Sequence, residues 1–346
     1  MQQPTGLINL GNMCFMNSTI QIIRHTKYLN QFLDNNSCEK KNIVETVIYN
    51  EWNDLRNFMN TKPATVSPKR FVYQIQQTAK AKNMDLFTGY SQNDLAEFLL
   101  FFVECLHSSI SRPVVAKVSN PQLLQNTPAK QCFELLKNIY AKEYSEIMDI
   151  FYGIYISEIL SEDGNIIHNT VAEQYLILDL ELPTDLNQPI NLYDCLDKFT
   201  RPELLQYENA WFNEKTGQKE NIQKRMRFWN FPKVLIITLK RFSPDGLHKM
   251  NQFVNYPIVD FDLEHYACGN NAEQYVYDLY GVCCHYGMMN GGHYTAYIKT
   301  GGEWMHYNDS TIEKCKFTDA LSSYAYCLFY EKREWFIVLC FQYNKK

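Results

Sequence analysis

The stretch GGHYTAYIKTGGEWMHYND, residues 291–309, predicts a β-hairpin that places a histidine beside a polar side chain. Two strand-like runs flank the turn-forming segment 300–302. With a three-residue turn His293 faces Asp309, and with a four-residue turn it faces Asn308, because the register decides which side chains are opposite. In both cases an amide or carboxylate oxygen reaches the imidazole, which is typical of a general base and its orienting partner. The hairpin register leaves the choice between the two partners open.

A second segment supplies a candidate nucleophile for this histidine. Cys14 lies between turn-forming residues 9–12 and a helix-compatible run over 15–24, so its sulfur is expected at a helix N-terminus. The positive end of a helix dipole and a nearby imidazole both favour the reactive thiolate. Gly291 and Gly292, directly before the histidine, let the backbone approach a ligand closely. The two segments together predict nucleophilic catalysis by a cysteine.

The chain up to about residue 110 is predicted to be mainly helical. One helix is expected to begin at about Cys14, and another to run from Ser91 to about His107 with an apolar stripe along one face. Ser91 stands where an N-cap belongs, and Asp94 stands where an acid in the first turn interacts with the helix dipole.

From Tyr152 onward the hydrophobic period changes to two, which indicates strands. Residues 175–182 alternate as in a half-buried strand, and the continuous apolar run over 234–239 is typical of a strand covered on both faces. Further strands are expected at 277–284, 293–299, 303–308 and 324–331. Helices followed by an antiparallel sheet predict an α+β fold.

Composition narrows the function. The chain has 346 residues, a net charge of −5 and no basic run, so a nucleic-acid partner is not expected. Its 24 tyrosines and 21 phenylalanines suit broad, rigid contacts with a protein-sized ligand. Eleven irregularly spaced cysteines, with no signal peptide ahead of them, favour a reducing intracellular compartment, cytoplasmic or nuclear. The apolar run 335–341 is far short of the ~20 residues of a spanning helix, so no membrane association is expected.

Four blocks, in this order along the chain, resemble those of the ubiquitin-specific proteases. They are GLINLGNMCFMNS at 6–18, GYSQNDLAEFL at 89–99, LKRF at 239–242, and GHY at 292–294 followed by Trp304 and YND at 307–309. The resemblance implies a papain-like cysteine protease fold with thumb, palm and fingers, in which the tail of ubiquitin lies between thumb and palm. It implies one catalytic domain over 1–346, with approximate subregions at 1–130 (helical thumb), 150–230 (fingers), 231–332 (palm) and 333–346 (C-terminal tail).

The resemblance also implies roles for the reactive residues. Cys14 matches the nucleophile and His293 the base, and Asn308 matches the third member of the triad, with Asp309 as a secondary acceptor. Asn9 matches the residue whose side-chain amide, with the backbone N–H of the nucleophile, forms the oxyanion hole.

Further residues are expected to contact substrate. Asp94 matches the residue that holds the basic tail of ubiquitin, although an acid in the first helical turn, stabilised by the helix dipole, is the alternative explanation. His285 matches a cleft position, although a satisfied strand histidine explains it almost equally. The two glycines before the histidine are expected to line a narrow channel for a Gly-Gly tail. The expected substrate-binding set is Asp94, Gln92, His285, Gly291, Gly292 and Tyr294.

The sequence departs from the family pattern in the residues that bind metal. Many members of the family bind zinc through two C-x-x-C pairs in the fingers, whereas 152–169 and 211–229 contain no cysteine here. We therefore expect a fingers region without zinc, and no cofactor. The expected partners are ubiquitin and ubiquitinated proteins, with the protein itself a monomer. The alternatives are a protease for another ubiquitin-like modifier and a catalytically weak ubiquitin-binding module.

Overall fold

The computed structural model describes residues 4–38, 43–61, 65–118, 121–184, 189–243, 245–269, 275–288 and 291–334. Helices dominate the chain up to residue 151. Their bounds are α1 Cys14–Arg24, α2 Lys27–Asn35, α3 Val44–Thr61, α4 Lys69–Ala81, α5 Leu95–Ile110, α6 Thr127–Tyr140, α7 Glu146–Phe151, α8 Leu192–Thr200 and α9 Phe317–Ala320.

Strands dominate the remainder. Their bounds are β1 Gly153–Ser161, β2 Ile167–Tyr175, β3 Ile177–Glu181, β4 Ile190–Asn191, β5 Glu203–Leu205, β6 Trp211–Asn213, β7 Gln218–Glu220, β8 Ile222–Asn230, β9 Val234–Lys240, β10 Val254–Asn255, β11 Phe261–Asp262, β12 Val276–Met288, β13 Gly291–Thr300, β14 Glu303–Asn308, β15 Thr311–Cys315 and β16 Ala325–Lys332. The predicted order, helices before sheet, is therefore confirmed.

One large sheet forms the centre of the fold. Its strand order is β15-β14-β13-β12-β16-β9-β3, with β11 paired to β12. The pairs are antiparallel except for β3 with β9. The helices before residue 111 and one face of the sheet share a core, in which Ala296 and Cys283 are fully buried. The other face, including Val282 and Trp304, packs in a second core with α8. Both faces are thus covered at the strands that carry the predicted site.

Helix α1 lies very close to the sheet. A Cβ atom at Gly281 of β12 would overlap the side chain of Ile22 of α1. Because interiors are close-packed, a larger side chain at this glycine would push the helix away from the sheet. This tight contact fixes where Cys14, the first residue of α1, lies relative to β13.

A smaller four-stranded sheet, in the order β2-β1-β8-β5, lies within the range 150–230. Its distinctive feature is a fully buried carboxylate, Glu158 of β1. Arg225 binds it through Nε and Nη2 at 3.0 and 2.6 Å, and Arg227 lies 3.5 Å away. Among the residues described, no group of three or more His, Cys, Asp or Glu side chains could hold a metal ion.

Two local predictions were wrong. Helix α5 begins at Leu95, and its N-cap is Asp94 rather than Ser91. The carboxylate of Asp94 accepts the backbone N–H groups of Ala96 and Glu97 at 2.8 and 3.1 Å, which satisfies two otherwise unpaired donors.

The turn between β13 and β14 has two residues rather than three or four. Thr300 pairs with Glu303, and the turn residues Gly301 and Gly302 have φ values of 59° and 88°. Two successive positive φ values are typical of a type I′ turn, whose twist matches that of a hairpin. The register is therefore shifted by one residue from the three-residue alternative.

The predicted strand or interface patch within the C-terminal tail falls on residues 335–346, which lie outside the described residues. No helix in the part of the chain that is described combines the length and the apolar character needed to cross a membrane.

Candidate active site

Cys14 is the first residue of α1 and lines a cleft of about 470 Å³. The turn before it requires unusual backbone angles, with φ of 119° at Gly11 and 52° at Asn12. Oδ1 of Asn9 holds this turn by accepting the backbone N–H groups of Gly11 and Met13, both at 3.0 Å. The thiol therefore lies at the positive end of the helix dipole, as expected from the sequence.

His293 is oriented by Asn308. Nε2 of the imidazole lies 2.7 Å from Oδ1 of the amide. The two-residue turn explains the choice of partner, because residues that pair across the hairpin point to the same face. Tyr297 pairs with His306. His293 lies four residues before Tyr297 and Asn308 lies two residues after His306, so both side chains point to the face of that pair. Asp309 follows on the other face.

The structure brings His293 and Cys14 together. A hydrogen bond with Cys14 is the largest cause that raises the pKa of His293 from 6.5 to about 9. Burial opposes this shift, while the hydrogen bond with Asn308 and the charges of Cys14 and Asp309 add to it. Since Nε2 binds the amide, Nδ1 is the ring nitrogen left for sulfur. The imidazole is thus held as a cation near neutral pH.

Asp309 binds two amides instead of the imidazole. Its carboxylate accepts Nδ2 of Asn17 at 2.8 Å and Nδ2 of Asn9 at 3.0 Å. Its backbone has a φ of 49°, and its carbonyl accepts the N–H of Leu7 at 2.8 Å. The expected secondary acceptor therefore acts on the imidazole through its charge, as one of the causes that raise the pKa of His293.

Both the oxygen and the nitrogen of the Asn9 side-chain amide are therefore held by hydrogen bonds. Its oxygen holds the turn before Cys14, and one of its two N–H bonds points to Asp309. The second N–H is the group that remains for an oxyanion. Asn17 had no predicted role, and its only sequence signal was its place in the block at 6–18.

Asp94 is saturated by protein groups. Oδ1 caps α5, and Oδ2 accepts the hydroxyl groups of Tyr294 and Tyr326 at 3.2 and 2.6 Å. Burial, followed by the charge of Asp94, raises the pKa of both tyrosines. The structure thus makes this aspartate the N-cap of α5, where the sequence predicted a first-turn acid. Tyr326, which joins it from β16, was not predicted.

His285 is buried in the wall of the same cleft. Its ring lies 4.5 Å from that of Tyr294, and a Cβ atom at Gly292 would overlap its Nε2. Nζ of Lys249 lies 3.2 Å from Nδ1. Burial and the charge of Lys249 lower the pKa of His285 from 6.5 to about 4, so the ring is neutral at pH 7.

Gln92 reaches across the cleft to Gly292. Its Nε2 donates to the carbonyl oxygen of the glycine at 2.9 Å, and its Oε1 accepts the glycine N–H at 3.0 Å. A Cβ atom at Gly291 would lie 3.6 Å from the same amide oxygen. This bridge joins the segment before α5 to the start of β13 at the mouth of the cleft.

A thiol at a helix N-terminus, paired with an imidazole that an amide orients, is the arrangement of a cysteine hydrolase. The family model described as ubiquitin carboxyl-terminal hydrolase matches residues 5–330. The chain belongs to the ubiquitin carboxyl-terminal hydrolase family.

Known relatives agree with this assignment. Human ubiquitin carboxyl-terminal hydrolase 2 is 32% identical over 341 residues, which cover 95% of this chain and 55% of that protein. The chicken protein of the same name is also 32% identical, and 94% of its length is covered. The chain thus spans little more than half of the human relative.

A solved structure extends the likeness to the fold. The SAGA DUB module of Ubp8, Sgf11, Sus1 and Sgf73 bound to monoubiquitin contains a chain with a TM-score of 0.71 and 25% identity to this one. The match covers 96% of this chain and 69% of that chain. The predicted α+β fold with antiparallel sheets is confirmed.

Proposed function

We propose that this protein is a thiol-dependent deubiquitinase that hydrolyses the isopeptide or peptide bond after the C-terminal glycine of ubiquitin. The observation that carries the proposal is the Cys14–His293–Asn308 arrangement at the mouth of a cleft, with the amide oxygen 2.7 Å from the imidazole. The helical part before residue 130 and the sheet over 231–332 supply the two walls of this cleft, and the sheet within 150–230 acts as the fingers of the same catalytic unit.

In the first step the Cys14 thiolate attacks the carbonyl carbon of the terminal glycine. The negative charge on the carbonyl oxygen is stabilised by the backbone N–H of Cys14 and the second side-chain N–H of Asn9. His293, held as a cation, donates its proton to the departing lysine amine, which leaves a thioester. The neutral imidazole then removes a proton from the attacking water, and the thioester bond breaks, which releases ubiquitin and restores the Cys14 thiolate beside the His293 cation.

The cleft wall favours a tail without side chains. Gly292 borders it, Gly291 precedes that glycine, and the Gln92 amide lies beside both. The rings of His285 and Tyr294, tilted by 38° to each other, form an aromatic surface on the same wall. Asp94 shapes this surface through its tyrosine contacts and contributes negative charge for a basic tail.

A ubiquitin–fluorophore conjugate and a ubiquitin-vinyl electrophile test the proposal. The protein is expected to release the fluorophore and to form one covalent adduct, and a Cys14→Ala variant is expected to do neither. Equal labelling of the variant would refute the assignment of the nucleophile. Parallel assays with other Gly-Gly-tailed modifiers decide substrate class, and faster turnover of one of them would replace ubiquitin in the proposal.

A further inference from the structure

Residues 241–243 and 245–250 form the two arms of a hairpin that follows β9 and borders the cleft through Phe242. Its base is fixed by Arg241, which is fully buried. Nε of this guanidinium donates to the carbonyl of Ala325 at 2.6 Å, and Nη1 donates to those of Met250 and Gln252 at 2.9 and 2.8 Å. The N–H of Met250 returns a bond to the carbonyl of Arg241 at 2.6 Å. The base is therefore held by hydrogen bonds that do not involve Lys249.

The outer part of the hairpin is bonded mainly to itself. Phe242 and Lys249 form an isolated bridge, and the N–H of Ser243 donates to the carbonyl of His248 at 3.0 Å. Leu247 at the tip is 67% exposed. What holds this outer part against the cleft must come from side chains that reach beyond the hairpin.

Lys249 makes that connection. Its Nζ donates to the carbonyl oxygens of His285 and Gly287 at 2.6 and 3.2 Å, and lies 3.2 Å from Nδ1 of His285. An ammonium group has three N–H donors, so all three are matched by acceptors of β12. The rings of Phe242 and Tyr324 lie 5.6 and 6.0 Å from the same nitrogen, within range of a cation–π contact.

We propose that Lys249 is a positioning residue that fixes the described arms of this hairpin as a wall of the substrate cleft and holds His285 as the neutral tautomer protonated on Nε2. The hairpin and β12 are joined here by a charged donor, and such hydrogen bonds are stronger than neutral ones. Phe242 and His285 both line the cleft and contact each other, with ring centroids 5.7 Å apart. The part concerning substrate rests on the proposed function.

The charges around His285 agree with this assignment. Burial lowers its pKa most, the charge of Lys249 lowers it further, and His293 adds a smaller effect in the same direction. The negative charge of Asp94, which faces the ring, raises the pKa of His285 and so opposes these effects. Burial and the charge of Arg241 also lower the pKa of Lys249, as expected for an ammonium enclosed by the cleft wall.

Hydrogen exchange of Lys249→Met tests the connection without substrate. The amide of Ser243 is expected to exchange about tenfold faster, because a charged hydrogen-bonding group is lost, while the amide of Met250 stays unchanged. Lys314→Met, an exposed lysine on β15, is the matched control and should change neither amide. Unchanged exchange at Ser243, or equal acceleration at both amides, would overturn the proposal.

Three further readouts separate positioning from general stability. In Lys249→Gln, which removes the charge and keeps a donor, the NMR titration of His285 is expected to move to higher pH, and no movement contradicts the contact between the two side chains. In the wild type the ring-nitrogen NMR shifts report the tautomer, and a neutral ring protonated on Nδ1 contradicts the assignment. With the ubiquitin–fluorophore conjugate, Lys249→Met is expected to raise KM several-fold, about the effect of one lost charged hydrogen bond, with kcat within about twofold. An unchanged KM together with faster Ser243 exchange refutes only the claim that the hairpin contributes to substrate binding. An inactive wild type refutes the proposed function, and the exchange experiment still decides whether Lys249 connects the hairpin to β12.

Discussion

Nε2 of His293 lies 2.7 Å from Oδ1 of Asn308, although these residues are diagonal neighbours rather than opposite partners in the hairpin of β13 and β14. The two-residue turn produces this relationship, since it puts both side chains on one face. Asp309, one residue later, is bonded to Asn9 and Asn17 instead. The two neighbouring acceptors therefore act on different parts of the site.

Asn308→Ala is expected to lower kcat/KM about 100-fold, because the imidazole loses the partner that orients it. Asp309→Ala is expected to lower it about tenfold, through a less well fixed oxyanion donor at Asn9. Steady-state kinetics of both variants with the ubiquitin–fluorophore conjugate compares them. A larger loss in Asp309→Ala would reverse this order of importance.

Cys14→Ala is expected to lower the pKa of His293 from about 9 towards 6.5, because the hydrogen bond with Cys14 is the largest cause of its elevation. Titration of the imidazole by NMR measures the shift. Cys315→Ala, which removes a thiol from β15, is the matched control and should leave the titration as it is. A His293 pKa that stays near 9 without Cys14 contradicts the thiol–imidazole pair.

The stability contributed by His293 is expected to depend on pH. Its pKa is raised on folding, so the imidazolium stabilises the folded chain fully below pH 6.5, and the contribution is lost as pH rises to about 9. Urea unfolding of the wild type and of His293→Ala, at pH 6 and pH 9.5, is the measurement. The difference in unfolding free energy between the wild type and His293→Ala should be smaller at pH 9.5 than at pH 6. A larger difference at pH 9.5 would mean that folding lowers the pKa of His293.

Glu158→Gln is expected to destabilise the protein by roughly 2–4 kcal/mol, because two arginines on β8 lose a buried carboxylate partner while remaining partly exposed to solvent. Glu146→Gln removes the partner of Arg112 in an exposed pair and should cost less than about 1 kcal/mol. Denaturant unfolding compares the two variants. Equal losses would mean that burial of Glu158 has no energetic consequence.

The four-stranded sheet of β1, β2, β5 and β8 is expected to bind no zinc. Elemental analysis of purified protein should find well below one zinc per chain, and EDTA should leave Tm unchanged, since Glu158, Arg225 and strand pairing stabilise this sheet. Stoichiometric zinc, or a Tm that falls on chelation, would contradict this expectation.

Much of the fold was predictable because hydrophobic periodicity is a local property. It located β9, β12 and β16 closely, and helix α1 begins at the predicted Cys14. Turn length was less accessible, because TGG can form either a long loop or a type I′ turn on two glycines. The start of α5 was misplaced because Ser91 and Asp94 are both acceptable N-caps, and tertiary contacts with Tyr294 and Tyr326 favour the aspartate.

The positioning groups of the site were harder to predict than its reactive groups. Cys14 and His293 have recognisable neighbours in sequence. Asn17 and Lys249 act through partners 292 and 36 positions away, and no local pattern indicates such contacts. Likewise, only the folded chain shows that the amide of Asn9 is shared between a turn and Asp309.

The bridge between Gln92 and Gly292 has a topological consequence. The two hydrogen bonds of the bridge close a ring across the cleft. A ubiquitin tail attached to a target protein has a folded domain at each end, so it cannot pass lengthwise through such a ring. A tail ending in a small fluorophore can enter such a ring end first. If conjugated proteins are the substrates, as proposed, the tail either lies outside the two hydrogen bonds or enters only after both have broken.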